Sequence, residues 1–126
     1  MLYMEEIKMD NIYEVSLLLD FYGQLLTKRQ YEILDLHYNN DYSLGEIGEY
    51  FNISRQGVYD NIKRGKAVLD NYERKLGLVR KFTEQQHKAE EILVYLKKID
   101  REKLSNADKQ NLSKVEEGIT DIISKF

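Results

Sequence analysis

The sequence predicts an all-α protein: a helix-turn-helix head preceded by one helix and followed by an antiparallel helical arm. Three observations predict it. The 126 residues include no proline and seven glycines, a composition that favours long helices over sheet. Between Thr27 and Leu69 helix-start signals recur at short intervals: Thr27 with Gln30, Ser43 with Glu46, then Ser54. From Val79 onward apolar residues recur at alternating three- and four-residue steps, the pattern of a coiled coil or helical hairpin.

The first element expected is an amphipathic helix over residues 5–26. Ile12, Val15, Leu19, Tyr22 and Leu26 recur on one face, and Leu18 and Leu25 widen the stripe. The stripe is broader than a small head alone needs, so it predicts packing against the head, the arm or a second copy. Its acidic polar side argues against a membrane-surface helix.

The head is predicted next, over residues 27–69. Thr27 with Gln30 is a capping box: the hydroxyl takes an orphan helix N–H and the amide reaches back to the cap. Ile33, Leu34, Leu36 and Tyr38 mark this helix, and the polar run Asn39-Asn40-Asp41 ends it. Ser43 with Glu46 opens a second helix whose inner face carries Leu44, Ile47 and Phe51. Gly48 stands where two helices must cross closely, since glycine costs about 1 kcal/mol against alanine inside a helix and needs a reason to be there. Asn52 tolerates the left-handed conformation of a sharp stop, and Ser54 caps a third helix lined by Val58, Ile62, Gly65 and Leu69.

With Val58, Ile62 and Leu69 inward, the outward side of that helix near its start is expected to show Arg55, Gln56, Tyr59, Asp60 and Lys63. Arginine and glutamine pair bidentately with guanine and adenine edges, and the first turn is where such helices meet bases. Lys28, Arg29 and Arg64 are candidates for phosphates. The alternative is a solvated polar face, the usual meaning of mixed charges on a helix. Asp60 favours that alternative, because phosphates repel a carboxylate in the groove unless it accepts from a cytosine amine. Of Tyr31, Tyr38, Tyr42, Tyr50, Tyr59 and Tyr72, Tyr59 is placed on the presumed binding face; most of these read as core-edge residues rather than stacking platforms.

The segments around Leu26-Thr27-Lys28-Arg29-Gln30, Tyr42-Ser43-Leu44-Gly45-Glu46-Ile47 and Phe51-Asn52-Ile53-Ser54-Arg55-Gln56-Gly57-Val58-Tyr59 resemble region 4 of bacterial sigma factors. Adding Asp20-Phe21-Tyr22 and the run Ser54 to Arg64 makes the chain closer still to the YlxM family over about residues 16–78. The resemblance implies a helix-turn-helix of the winged-helix class without a wing, with its third helix entering a major groove. It also implies a small cytosolic DNA-binding regulator tied to the signal recognition particle pathway, an accessory factor that binds the particle's RNA or protein being the alternative. A third reading keeps the fold only as an assembly module.

Beyond residue 78 the expected seams are Phe82, Gln85, Ala89, Ile92, Leu96 and Ile99, then Leu112, Val115, Ile119, Ile122 and Phe126. Asp100 to Ser105 is a polar turn, with Ser105 capping the last helix. Two seams of similar length joined by a short turn fold back on one another. The domain boundary is therefore expected between residues 78 and 79, with 1–78 as N-terminal helix and head and 79–126 as a packing arm. A two-fold homodimer through these arms is the expected assembly, since paired heads double the basic footprint.

Charge bounds the partners. Net charge is −3, with 19 basic and 22 acidic residues. Residues 1–26 carry one basic and five acidic groups, whereas 27–77 carry eight of each. Nucleic-acid binders usually concentrate positive charge, and here the concentration is local: Arg55, Lys63, Arg64 and Lys66 around Asp60. The absence of cysteine removes disulfides and thiolate metal sites. No segment approaches the ~20 apolar residues of a membrane span, and the start lacks the basic-then-apolar order of a secretion signal. The expectation is a cytoplasmic protein with no membrane partner.

Enzymatic chemistry is not expected. His37 and His87 lack a second ligand at metal-binding spacing. Gly45 and Gly48 lie inside a capped helix rather than a phosphate loop, and Ser54 and Ser105 read as caps rather than nucleophiles. Glu90-Glu91 and Glu116-Glu117 read as solvated faces rather than an acid–base pair. No cofactor is implied.

Overall fold

A computed structural model describes residues 12–124. Among them are six α-helices and no strand: α1 (Ile12–Tyr22), α2 (Lys28–Leu34), α3 (Leu44–Phe51), α4 (Arg55–Leu76), α5 (Leu78–Lys97) and α6 (Asn106–Ser124). The chain forms two compact units, the first ending at Val79 and the second beginning at Arg80. The architecture is the all-α class that the helix-start signals imply.

The first unit is built around α4, which packs against α1, α2 and α3. Its inward line is Val58, Ile62 and Leu69, each with no exposed surface. Facing it are Val15 and Tyr22 from α1, Ile33 and Leu34 from α2, and Ile47 from α3. Burying a side chain of this size contributes about 1.5–3 kcal/mol, so each helix is held by its own inward residues.

The N-terminal helix ends before the expected residue 26. Residues 5–11 lie outside the described residues, and α1 ends at Tyr22, followed by a tight 3-10 turn over Gly23–Leu25. At Gly23 a Cβ would stand 2.8 Å from a ring carbon of Tyr31. The backbone passes too close to that ring for a side chain, and the Leu26 N–H closes back on the Gly23 carbonyl at 3.1 Å. The helical stripe therefore stops early: Leu25 is exposed, as is Ile12, while Val15, Leu18, Leu19 and Tyr22 are buried.

Both capping boxes form. Thr27 Oγ1 accepts from the Gln30 N–H at 3.2 Å while Gln30 Oε1 accepts from the Thr27 N–H at 3.2 Å. Ser43 and Glu46 repeat the exchange at 3.1 Å each way. Beyond α2 the chain widens into a π turn over Asp35–Asn39, and Asp41 takes a left-handed conformation with φ 59°. His37 Nδ1 lies 2.8 Å from the Tyr42 carbonyl and its ring meets Tyr38 edge-on. This histidine braces the loop.

At the end of α4, Gly77 turns left-handed with φ 64° and its N–H returns to the Glu73 carbonyl at 2.8 Å. Tyr22 donates its hydroxyl proton to Glu73 Oε1 at 2.7 Å and accepts from the Leu78 N–H at 3.1 Å. Glu73 Oε1 also accepts from the Val79 N–H at 3.0 Å. Two orphan donors of α5's first turn are thereby satisfied. Burial, and then the hydrogen bond to Glu73, raise the Tyr22 phenol above its ordinary value of 10.0.

In the second unit α5 and α6 run antiparallel, as the Gln86 Nε2 donation to the Ile123 carbonyl at 2.9 Å and the Arg101–Glu116 ion pair require. Ser105 caps α6 through the Asp108 N–H at 3.1 Å. The inward line keeps Phe82, Ala89, Leu96, Leu112 and Ile119 of the expected seam and exchanges the positions between them for their next neighbours. Phe82, Gln86, Ala89, Leu93 and Leu96 turn inward on α5, and Leu112, Glu116, Ile119 and Ile123 on α6. Gln85 is exposed, as are Ile92, Ile99, Val115 and Ile122; Phe126 lies outside the described residues.

Candidate nucleic-acid interface

The turn between α3 and α4 sets the geometry of the site. Asn52 ends α3 with φ 56° and ψ 47°, a left-handed residue that reverses the chain at once. The Ile53 N–H then returns to the Gly48 carbonyl at 2.9 Å. A Cβ on Gly48 would lie 2.7 Å from the Ile53 carbonyl oxygen, which is backbone and cannot step aside. Only glycine lets the turn pass this close to α3. Ser54 follows in extended conformation and its Oγ accepts from the Gly57 N–H at 2.9 Å. The start of α4 is thus capped and fixed in direction by three residues, Gly48, Asn52 and Ser54.

What this start presents is Arg55 and Gln56, both exposed. One turn on, Asp60 is exposed and accepts a hydrogen bond from Gln56 Nε2 at 3.1 Å. Lys63 and Arg64 are exposed on the next turn. A mixed face one to two turns long results, with cations at either end and a carboxylate between them.

Tyr59 is a correction. It is 5 % exposed and belongs to the core with Val58 and Ile62 rather than to the outward face. Residues 58, 59 and 62 fall within one arc of a 3.6-residue helix, and the arc that α4 buries against three neighbours is wide enough to take the ring. The Lys63 ammonium lies 6.0 Å from the ring centroid, a cation–π distance. The phenol therefore supports a neighbour of the face and is no stacking platform itself.

Lys28 and Arg29 sit at the start of α2. The Lys28 side chain is 92 % exposed and its ammonium stands 4.0 Å from Glu32. Arg29 lays its guanidinium 4.6 Å over the Phe51 ring at the end of α3. That stacking holds Arg29 on the element that leads into the Asn52 turn. The structure thus brings Arg55, Gln56, Lys63 and Arg64 together on α4, and places Lys28 and Arg29 on a separate helix start. Asp60's link to Gln56 is the feature that residue type alone did not reveal, although i,i+4 spacing permits it.

Among the described residues no group of histidine and acidic side chains is arranged to hold a metal ion. No described helix is long and apolar enough to cross a membrane.

Comparison with known proteins agrees with this architecture. Residues 9–122 match a protein family, UPF0122, described as "Putative helix-turn-helix protein, YlxM / p13 like". A UPF0122 protein of Acetivibrio thermocellus is 64% identical over 115 residues, covering 91% of this chain and 98% of the relative. The UPF0122 protein TTE1463 of Caldanaerobacter subterraneus is 55% identical over 83 residues, 66% of this chain and 71% of that one. The UPF0122 protein BH2485 of Halalkalibacterium halodurans is 47% identical over 98 residues, 77% and 86% of the two chains.

Proposed function

Because the chain belongs to the UPF0122 family of YlxM/p13-like helix-turn-helix proteins, we propose that it is a non-enzymatic, cytoplasmic regulator that binds duplex DNA through the first turns of α4. The observation that carries this reading is the capped start of α4 beyond the Asn52 reversal, with Arg55 and Gln56 exposed at its tip. Arg55 is assigned to a guanine edge in the major groove and Gln56 to a neighbouring base. Lys63, Arg64, Lys28 and Arg29 are assigned to phosphates. Tyr59 has no contact role here; its burial removes it from the site.

A mobility-shift assay with mixed-sequence duplex tests the reading. Arg55→Ala is expected to weaken binding markedly and to relax sequence preference, and equal binding by variant and parent would refute the assignment. The logarithm of affinity should fall against log salt by about 0.9 for each phosphate neutralised. The signal recognition particle, implied by resemblance alone, enters as a competitor. Its structured RNA hides its major groove in A-form, so a groove-reading helix should prefer duplex DNA, whereas preferential capture of the RNA would favour the accessory-factor reading.

A homodimer is proposed alongside it. The phase by which α5 and α6 meet leaves Ile92 and Tyr95 exposed on α5 and Ile99 just past its end, with Val115 and Ile122 exposed on α6. A second copy covering this stripe would add a second Arg55–Gln56 tip to the assembly and compensate for a weak single footprint. Light scattering at micromolar concentration should give twice the chain mass, and a monomer would exclude it.

A further inference from the structure

The hydrogen bond between Gln56 and Asp60 determines which end of the glutamine amide is available to a ligand. A carboxylate only accepts, so the amide nitrogen faces Asp60 and the carbonyl oxygen is turned the other way. One of the two amide N–H groups is engaged. What remains toward solvent is weighted to acceptors: Gln56 Oε1, the second Asp60 oxygen, and a single uncommitted N–H. Both residues are exposed at the start of a helix whose direction Ser54 and Asn52 fix.

In the major groove the hydrogen-bond donors are the exocyclic amines of cytosine and adenine, while guanine and thymine present oxygen. Resting on the α4–duplex reading above, we propose that Gln56 and Asp60 act as one acceptor couple that selects a base carrying an exocyclic amine. Opposite a guanine or thymine oxygen the couple sets oxygen against oxygen, which disfavours the keto-bearing bases. Arg55 alongside has the opposite preference, since its donors suit guanine O6 and N7. The α4 tip thus reads an alternation, a keto-bearing guanine beside an amine-bearing base. Asp60 has a second consequence. Its charge is repelled by every phosphate, so it lowers affinity for any duplex and returns that loss only where an amine is correctly placed. Asp60 is a specificity-determining residue that works by exclusion as much as by attraction.

Selection of bound sequences from a randomised duplex library, with parent, Asp60→Ala and Asp60→Asn, tests this. The parent should enrich cytosine or adenine at one position near an enriched guanine. Asp60→Ala should lower that preference by about tenfold, the scale of one base-edge contact, and raise affinity for scrambled duplex several-fold. Asp60→Asn keeps a carbonyl that can accept from Gln56 but carries no charge, so it should retain more of the base preference while showing the same rise on scrambled duplex. If the parent binds duplex and both variants leave preference and scrambled-duplex affinity unchanged, the couple has no role and the inference falls while the α4 reading stands. If the parent binds no duplex at all, the α4 reading itself falls.

Discussion

The head and the arm are both helical, yet they bury their side chains very differently. Each helix of the head contributes residues with essentially no exposed surface, such as Val15, Ile33, Ile47 and Ile62. In the arm Ala89, at 5 % exposure, is the one buried residue described, and α6 has none. The head is thus stabilised by its own core, whereas two antiparallel helices alone cannot enclose a side chain. Side-chain substitution should therefore be costly in the first unit's core and small in effect at the second unit's exposed positions outside the proposed dimer stripe, and glycine should mean close packing in one and only lost helix propensity in the other.

The largest effect that would break this contrast is in the core. Ile62→Ala should destabilise by about 2–5 kcal/mol, the range for deleting a buried aliphatic side chain. A urea titration that shows Val94→Ala, at 52 % exposure and outside the stripe proposed for the dimer, costing as much would remove the distinction. Gly48→Ala comes next. Its Cβ would meet the Ile53 carbonyl oxygen at 2.7 Å, so a loss of about 1–3 kcal/mol is expected from overpacking, despite alanine's better propensity. The mirror experiment in the arm is Gly118→Ala, whose Cβ meets nothing within 4 Å. That substitution should stabilise, by up to about 1 kcal/mol. Opposite signs for the same chemical change would sharpen the contrast; equal signs would end it.

Smaller effects concern caps and protonation. Ser54→Ala removes the acceptor for the Gly57 N–H and should cost about 1 kcal/mol, read as a lower thermal midpoint. The Tyr22 phenol is held above 10.0 in the folded protein by burial and by Glu73. The unfolded chain gives up that proton first, so this contribution is complete below pH 10 and is lost as pH rises through the folded value. Melting curves between pH 8 and pH 11 should show the parent above Tyr22→Phe at pH 8, where the variant lacks the bonds to Glu73 and Leu78, and the gap should close toward the alkaline end.

Local chemistry in the head was readable from single residues. The caps at Thr27, Ser43 and Ser54, the left-handed Asn52 and the crowded Gly48 each follow from what one residue type can do, and each is found. The alternate positions of the arm's seam are not legible in the sequence, because Ile92 adjoins Leu93 and Ile122 adjoins Ile123. Two apolar stripes one residue apart satisfy the periodicity equally, and only the partner helix chooses between them. Glu116 takes an inward position because Arg101 meets it there, a pairing between distant residues that spacing does not encode. Tyr59 was misplaced for a related reason: an amphipathic ring can lie at either edge of a buried arc, and the width of that arc depends on three neighbouring helices. The Gln56–Asp60 link required coordinates, since i,i+4 spacing permits a contact without specifying which end of the amide turns toward the acid.

The central claim is that the tip of α4 lies in a major groove and that Arg55 reads a guanine there. Dimethyl sulfate interference measures this most directly, because it methylates guanine N7, the atom Arg55 is assigned to contact. On a selected duplex, methylation of one or two guanines should abolish binding by the parent, and the residual binding of Arg55→Ala should be insensitive to those same methyl groups. Parent binding that tolerates methylation at every guanine, with the variant indistinguishable from it, would contradict the claim.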